Sequence, residues 1–282
     1  GNEWINYDQT YFRIKIAADG IYRISKSTLQ DAGFPVNLDP KGIQLFGKER
    51  EQAIYIKGEN DGIFNDDDYI EFLAFKNDGW LDSLLYVEDD DLLNPYYSLY
   101  NDTLCYYLTY DPIETNNLRA ISVVDQNFAA YSTSDFCLVT ETTSFNNTYF
   151  VGKRNTSNGV TDPRYLEGEG YGKVFSNSSQ TFNFNTANRY IGLDAPTSLI
   201  KARFASSNNP ASQNSAGNHH FRASINGSVF FDNTFFGYQT FSISESFNTI
   251  NFSNSTQVVI GTVNDIGVSP DGIAIGFAQL TF

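Results

Sequence analysis

The chain is 282 residues long, 41% hydrophobic and 16% aromatic, with 24 Phe, 18 Tyr and a formal net charge of −15. A chain of this length buries roughly 75% of its unfolded surface, so it needs neither a metal nor a disulfide merely to fold, and its load of Phe and Tyr favours strands over helices. The acidity argues against nucleic acid and anionic membranes as partners, and no apolar run reaches the ~20 residues of a membrane span.

The acidity is unevenly placed. Residues 1–125 carry 23 Asp and Glu against 10 Lys and Arg, whereas residues 126–282 carry 10 against 8. This asymmetry predicts two domains, an acidic β-rich one over residues 1–118 and a β-sandwich of jelly-roll type over 119–282. Methionine is absent and Gly1 has no Met before it, as expected of a piece of a longer reading frame from which a secretion signal has been removed.

In chain order, Tyr11 to Ile16 alternates with Phe12, Ile14 and Ile16 on one face. The Asp19-Gly20 turn before Ile21 to Ile24 then predicts a β-hairpin. Ser25 or Ser27 can cap the one short helix expected in the first domain, with Ser27 and Gln30 spaced as a capping box and Gly33 as its stop. A strand follows at Ile43 to Phe46. Tyr55 to Lys57 and Tyr69 to Phe75 read as two strands tied by an acidic turn. Leu84 to Val87 and the acidic run Glu88 to Asp91 come next, Leu104 to Tyr110 alternates as a further strand, and Asp111 to Asn117 reads as the linker.

Beyond Leu118 the chain turns rich in Asn, Ser and Thr, with about nine short apolar runs between Gly and Asn turns. These are Phe136 to Thr140, Gly172 to Phe175, Thr181 to Phe184, Leu199 to Phe204, His220 to Ile225, Ser228 to Phe231, Phe241 to Ile243, Val258 to Val263 and Gly272 to Phe282. The spacing predicts a sandwich or jelly roll, with an exposed low-complexity loop from Ser206 to Asn218.

Few constellations suggest chemistry. Asp61, Asp66 and Asp68 in the acidic turn are candidate calcium ligands, although a Gly at the sixth position of a helix-loop-helix calcium loop would put Lys57 at its first. A solvated turn is the competing reading. Cys105 and Cys137 are a candidate disulfide that would close a loop of about 33 residues; unpaired, they are small apolar residues. Glu167 and Glu169 would share one face of an extended strand, about 7 Å apart, within the spacing of glycosidase carboxyls, but the flanking glycines favour a backbone bend. His219 and His220 point apart on a strand, which favours a surface pair over a zinc site. Trp4, Trp80, Tyr96 and Tyr97 could stack on sugar rings, while most aromatics must fill the core.

Three stretches carry a resemblance: YFRIKIAADGIYRISKSTLQDAGF (Tyr11 to Phe34), GENDGIFNDDDYIEFLAF (Gly58 to Phe75) and NPYYSLYNDTLCYYLTY (Asn94 to Tyr110). In order and spacing they are similar to the region ahead of the peptidase domain in gingipain-family proteins, a group that includes the sortase of the type IX secretion system. The likeness covers roughly residues 4–110 and is weaker over 165–282. The peptidases of that group use a His-Cys pair in a separate α/β domain, which no segment here resembles, so no catalytic residue is carried over. The resemblance implies a non-catalytic accessory region, secreted to the outer membrane or surface of a Gram-negative bacterium. Its expected partners are a downstream peptidase domain of the same polypeptide, and surface glycans or secretion partners; no cofactor is required, and the calcium considered above is the one candidate. Asp82-Ser83-Leu84 and Asp102-Thr103-Leu104 also look like the O-glycosylation acceptor pattern of bacteria that use this route. The alternative is a cell-surface adhesin or glycan-binding β-sandwich.

Overall fold

The computed structural model describes residues 2–113, 116–121, 125, 127–153, 164–211 and 215–282. Parts of the expected linker (114–115) and of the low-complexity loop (212–214) lie outside these residues, as does Gly1. The chain is mainly β, with a single α-helix among the described residues, and no described helix is long and apolar enough to cross a membrane. It divides into two compact units, Gly1–Asp78 with Asn101–Ser132, and Gly79–Tyr100 with Thr133–Phe282. Residues 79–100, placed by sequence in the first domain, thus pack with the second unit.

The first unit holds two antiparallel sheets. Strands β1 (Phe12–Ile16), β2 (Gly20–Ser25), β3 (Ile43–Gly47), β4 (Arg50–Gln52), β5 (Ile54–Ile56), β6 (Tyr69–Ala74) and β7 (Leu104–Tyr110) assemble as β1-β7-β3-β4 and β2-β6-β5. The expected hairpin of β1 and β2 does not form, because each finds a longer-range partner: Ile16 pairs with Leu104 and Ile24 with Ile70. Alternation survives this, since Ile16, Ile43, Leu45, Ile54, Ile70, Phe72, Tyr106 and Leu108 are buried in one core. Between β2 and β3, helix α1 (Lys26–Asp31) is capped by the Ser25 hydroxyl, which accepts from the Thr28 amide at 3.2 Å. It stops at Gly33, whose φ of 78° lets the Phe34 amide reach back to the Leu29 carbonyl at 2.9 Å.

The second unit is a sandwich. One sheet runs β15 (Thr240–Asn248), β12 (Thr197–Ser206), β17 (Gly272–Thr281), β10 (Glu169–Ser176) and β9 (Thr148–Val151), with β8 (Thr140–Ser144) also pairing with β17. The other runs β11 (Ser179–Asn185), β16 (Ser255–Thr262), β13 (His219–Ile225) and β14 (Ser228–Phe235). Phe182, Phe184, Ile200, Phe204, Phe221, Ile260 and Ile275 fill the space between them. The strand expected at Phe136 to Thr140 begins only at Thr140, and a 3-10 turn spans Asp82–Leu85.

Residues 79–100 are tied to this sandwich by named bonds. The Leu93 amide donates to the Glu169 carbonyl at 3.0 Å, the Gly168 amide to the Asp91 carbonyl at 2.7 Å, and Asn94 Nδ2 to the Phe145 carbonyl at 2.8 Å. Leu93 is buried with Phe150, Ala205 and Ala274 in a small core of its own. Arg203 of β12 reaches the same segment, donating to the Leu92 carbonyl and to the Asp90 carboxylate, while its Nε donates to Ser242 Oγ at 2.9 Å.

Candidate functional site

In the first unit the acidic turn between β5 and β6 spends its carboxylates on nitrogen donors. Asp61 accepts from the Ile63 amide at 2.9 Å and from Asn65 Nδ2 at 3.0 Å. Asp66 pairs with Lys26 at 3.0 Å, and Asp67 with Lys57 at 2.5 Å. Asp68 is buried, accepts from the Asn65 amide at 2.7 Å and lies against Gly58, whose φ is 80°. No group of three or more His, Cys, Asp or Glu arranged to hold a metal ion is found among the described residues; Asp61, Asp66 and Asp68 each hold a nitrogen donor of the turn or of Lys26.

Cys105, on β7 of the first unit, and Cys137, ahead of β8 in the second, are both free thiols. The bridge considered from sequence is not formed; strand pairing puts Cys105 opposite Lys15 on β1.

The Glu167-Gly168-Glu169 stretch bends as its glycines imply, with φ of 76° at Gly168. Glu167 accepts from the Thr240 amide at 3.1 Å and pairs with Lys153 at 3.3 Å. Glu169 accepts from the Leu166 amide at 2.8 Å and from the Tyr149 hydroxyl. Burial, together with that bond, raises the Tyr149 phenol well above its ordinary pKa, and burial does the same for Tyr86, which donates to the Glu169 carbonyl at 3.0 Å. Tyr165, bonded to Tyr100 at 2.6 Å, is pushed up to about 12 chiefly by that bond. Of these phenols Tyr149 donates to the Glu169 carboxylate, Tyr86 to the Glu169 backbone carbonyl, and Tyr165 is bonded to Tyr100, so both glutamates sit in a hydrogen-bonded network.

The two histidines are buried, against the expectation of a surface pair. His219 Nδ1 lies 2.6 Å from Asp271 and its Nε2 3.0 Å from the Asn208 carbonyl. His220 lies between Asp265, 2.6 Å from Nδ1, and Asp232, 2.7 Å from Nε2, and Arg222 pairs with the same Asp232 at 2.6 Å. Burial lowers the pKa of His220, but the bonds to Asp265 and Asp232 outweigh it and hold the ring above the ordinary imidazole value; Asp232 is correspondingly lowered by His220 and Arg222. Adjacent residues on a strand face opposite ways, and here both ways lead to carboxylates supplied by β14 and the loop before β17.

The aromatic candidates named from sequence are divided between the two units. Trp4 packs on Tyr11, Phe46 and Tyr107 in the first unit, with ring centroids 5.8, 5.3 and 5.5 Å away. Tyr96 packs edge-on against Phe277 and Tyr97 against Tyr171, both at 4.9 Å, in the second. Trp80 also belongs to the second unit.

Sequence reasoning missed a cavity of about 580 Å³ at the end of the sandwich where β8 begins and β17 ends. The Val139 amide donates to the Phe282 carbonyl at 2.8 Å and the reverse bond is 2.9 Å, which extends the β8–β17 ladder and carries Asp135, Phe136 and Cys137 over the opening. The opposite wall is the turn after β11. Tyr190 stacks on Phe136 at 5.2 Å and donates to Asp194 at 2.9 Å. That bond, burial and the nearby charges of Asp194 and Asp135 raise the Tyr190 phenol. Arg189 donates through Nη1 to the Thr186 carbonyl at 3.2 Å and to Asn254 at 3.3 Å, while its buried Nε has no partner. The volume falls in the range of about 300–1,000 Å³ typical of small-molecule sites, and the lining mixes aromatic faces with a few polar groups. The walls come from segments far apart in the chain, so no motif marks them.

No family model and no curated protein matches the chain. Among solved structures, the chain is similar to dimeric latent PorU from Porphyromonas gingivalis, at 14% identity and a TM-score of 0.49, over 96% of this chain and 24% of that one. It is also similar to the carbohydrate-binding module CBM36 in complex with calcium and xylotriose, at 16% identity and a TM-score of 0.28, over 50% of this chain and 98% of that one. A family 35 carbohydrate-binding module from Clostridium thermocellum is matched at 10% identity and a TM-score of 0.23, over 51% of this chain and 89% of that one. This chain spans about a quarter of the length of PorU.

Proposed function

We propose that this chain is a non-catalytic accessory region of a secreted cysteine peptidase of the gingipain and type IX sortase kind, acting at the outer membrane or cell surface. Its two β units would pack against or position a peptidase domain carried elsewhere on the polypeptide, each burying one sheet face and offering another. One observation carries the reading: the acidic and imidazole groups most suited to chemistry, Glu167, Glu169, His219 and His220, are each engaged by internal partners. The order of the three motifs between Tyr11 and Tyr110 supports it. The role requires no cofactor, and a calcium ion at the Asp61–Asp68 turn would be a structural addition to it.

The test is to translate and express the reading frame past the codon for Phe282. An α/β domain with a His-Cys pair, whose activity or stability falls when residues 1–282 are deleted, supports the proposal. A frame without such a domain, or peptidase activity in residues 1–282 alone, overturns it.

A second reading, a glycan-binding module on the cell surface, is favoured by one feature, the cavity lined by Phe136, Tyr190 and Arg189. The two roles are compatible on one chain.

A further inference from the structure

We propose that this cavity is the binding site for a neutral saccharide, an inference that rests on the glycan-binding reading and gives it a place and a ligand class. Three properties of the walls select that class. First, Phe136 and Tyr190 lie against one another with an interplanar angle of 30° and both line the opening. A partly buried aromatic wall of this kind favours the C–H face of a pyranose ring, which is apolar while its edge is polar.

Second, the polar groups are mixed in sign and role. Asp135 and Glu141 line the cavity as acceptors and Asn188 and Arg189 as donors. Sugar hydroxyls donate and accept at once, so a ring with adjacent hydroxyls can meet both kinds of group, as buried polar atoms require. Two carboxylates beside one guanidinium, with Asp194 held by Tyr190 nearby, leave an excess of negative charge that disfavours an anionic ligand.

Third, the hydrogen bonding of Arg189 is incomplete. Its Nε is buried without a partner, and an unmet buried donor is unfavourable. A hydroxyl that draws the guanidinium further into the cavity supplies the missing acceptor.

The experiment is calorimetric titration of the whole 282-residue chain with neutral trisaccharides of β-1,4-linked glucose, xylose and mannose, and with trigalacturonate as the anionic control. We expect at least one neutral trisaccharide to bind at millimolar concentration or below. Tyr190→Ala and Phe136→Ala should each weaken it about tenfold or more, a change of roughly 1.4 kcal/mol, whereas Tyr7→Ala, on the exposed surface of the first unit, should leave it unchanged. Because a ring deletion can disturb folding, the same site is also blocked without one: in Cys105→Ser protein, alkylating exposed Cys137 with a bulky maleimide should abolish binding. If no trisaccharide binds, the glycan-binding reading falls and this inference with it. If one binds but neither variant nor alkylation matters, the module binds sugar elsewhere and only this inference is overturned. Tighter binding of trigalacturonate than of every neutral sugar overturns the ligand class.

Discussion

The backbone carbonyl of Leu93 lies over Gly276 of β17, in the space that a Cβ at position 276 would fill. Glycine is therefore required there by close approach of two backbones, and the approach seats residues 79–100 on the sandwich. Gly276→Ala must push that segment off the strand. Overpacking of this kind costs about 1–3 kcal/mol, which for a unit of this size lowers the melting temperature by several degrees. Limited proteolysis should then cut within 79–100 faster than in the parent. Unchanged melting and unchanged cleavage would show that the segment is not held there.

A second anchor of the same segment distinguishes a buried charge from an exposed one. The Arg203 side chain is 11% exposed and that of its partner Asp90 73%, and burial lowers the Arg203 pKa despite the neighbouring acids. Arg203→Ala leaves the Leu92 carbonyl and Ser242 without their donor, and should cost about 1–3 kcal/mol, as when a buried acceptor loses its partner. Asp90→Ala removes only a solvent-screened partner and should cost less than about 1 kcal/mol. Denaturant melts of the two variants check this; equal losses would place the stabilisation in the ion pair instead of in the bonds to backbone and serine.

These anchors were out of reach of sequence reasoning for a physical reason. Strands such as Leu104–Tyr110 and Gly272–Thr281 could be read because alternation and flanking turns are local. Partner choice is not local: the Asp19-Gly20 turn looks like a hairpin, yet Ile16 and Ile24 bury better against Leu104 and Ile70. The histidines were misplaced because Asp232, Asp265 and Asp271 reach them only after β14 and β17 have paired or turned. Phe136, Tyr190 and Phe282 are likewise brought to one cavity by two loops and a ladder end.

His220 makes stability depend on pH in a defined direction. Its folded pKa is raised above the unfolded value, so its contribution is complete below the unfolded pKa of about 6.5 and is lost as pH rises through the folded pKa. Asp232 is lowered, so its contribution is present above the unfolded carboxylate pKa of about 4 and lost as pH falls through the depressed one. The second unit should therefore melt highest in mildly acidic solution and lower above neutrality. In His220→Gln the fall above about pH 6.5 should disappear. If parent and variant keep parallel profiles, the ring is not charged between its two aspartates.

In the acidic turn, hydrogen bonding and calcium have competing claims on the same carboxylates. Calcium at Asp61, Asp66 and Asp68 would compete with the Ile63 amide, Lys26 and the Asn65 amide, each of which already bonds one oxygen of these carboxylates. We expect the melting temperature to be the same in millimolar calcium and in chelator. A bound ion at a hundred times its dissociation constant would add about 2.7 kcal/mol, a shift of several degrees that could not be missed. Asp68→Ala, by contrast, should destabilise the first unit by roughly 1–3 kcal/mol in either buffer, because it leaves the Asn65 amide without its acceptor. A calcium-dependent rise in the parent that Asp68→Ala abolishes would make this turn a metal site and its present hydrogen bonds the resting state of the ligands.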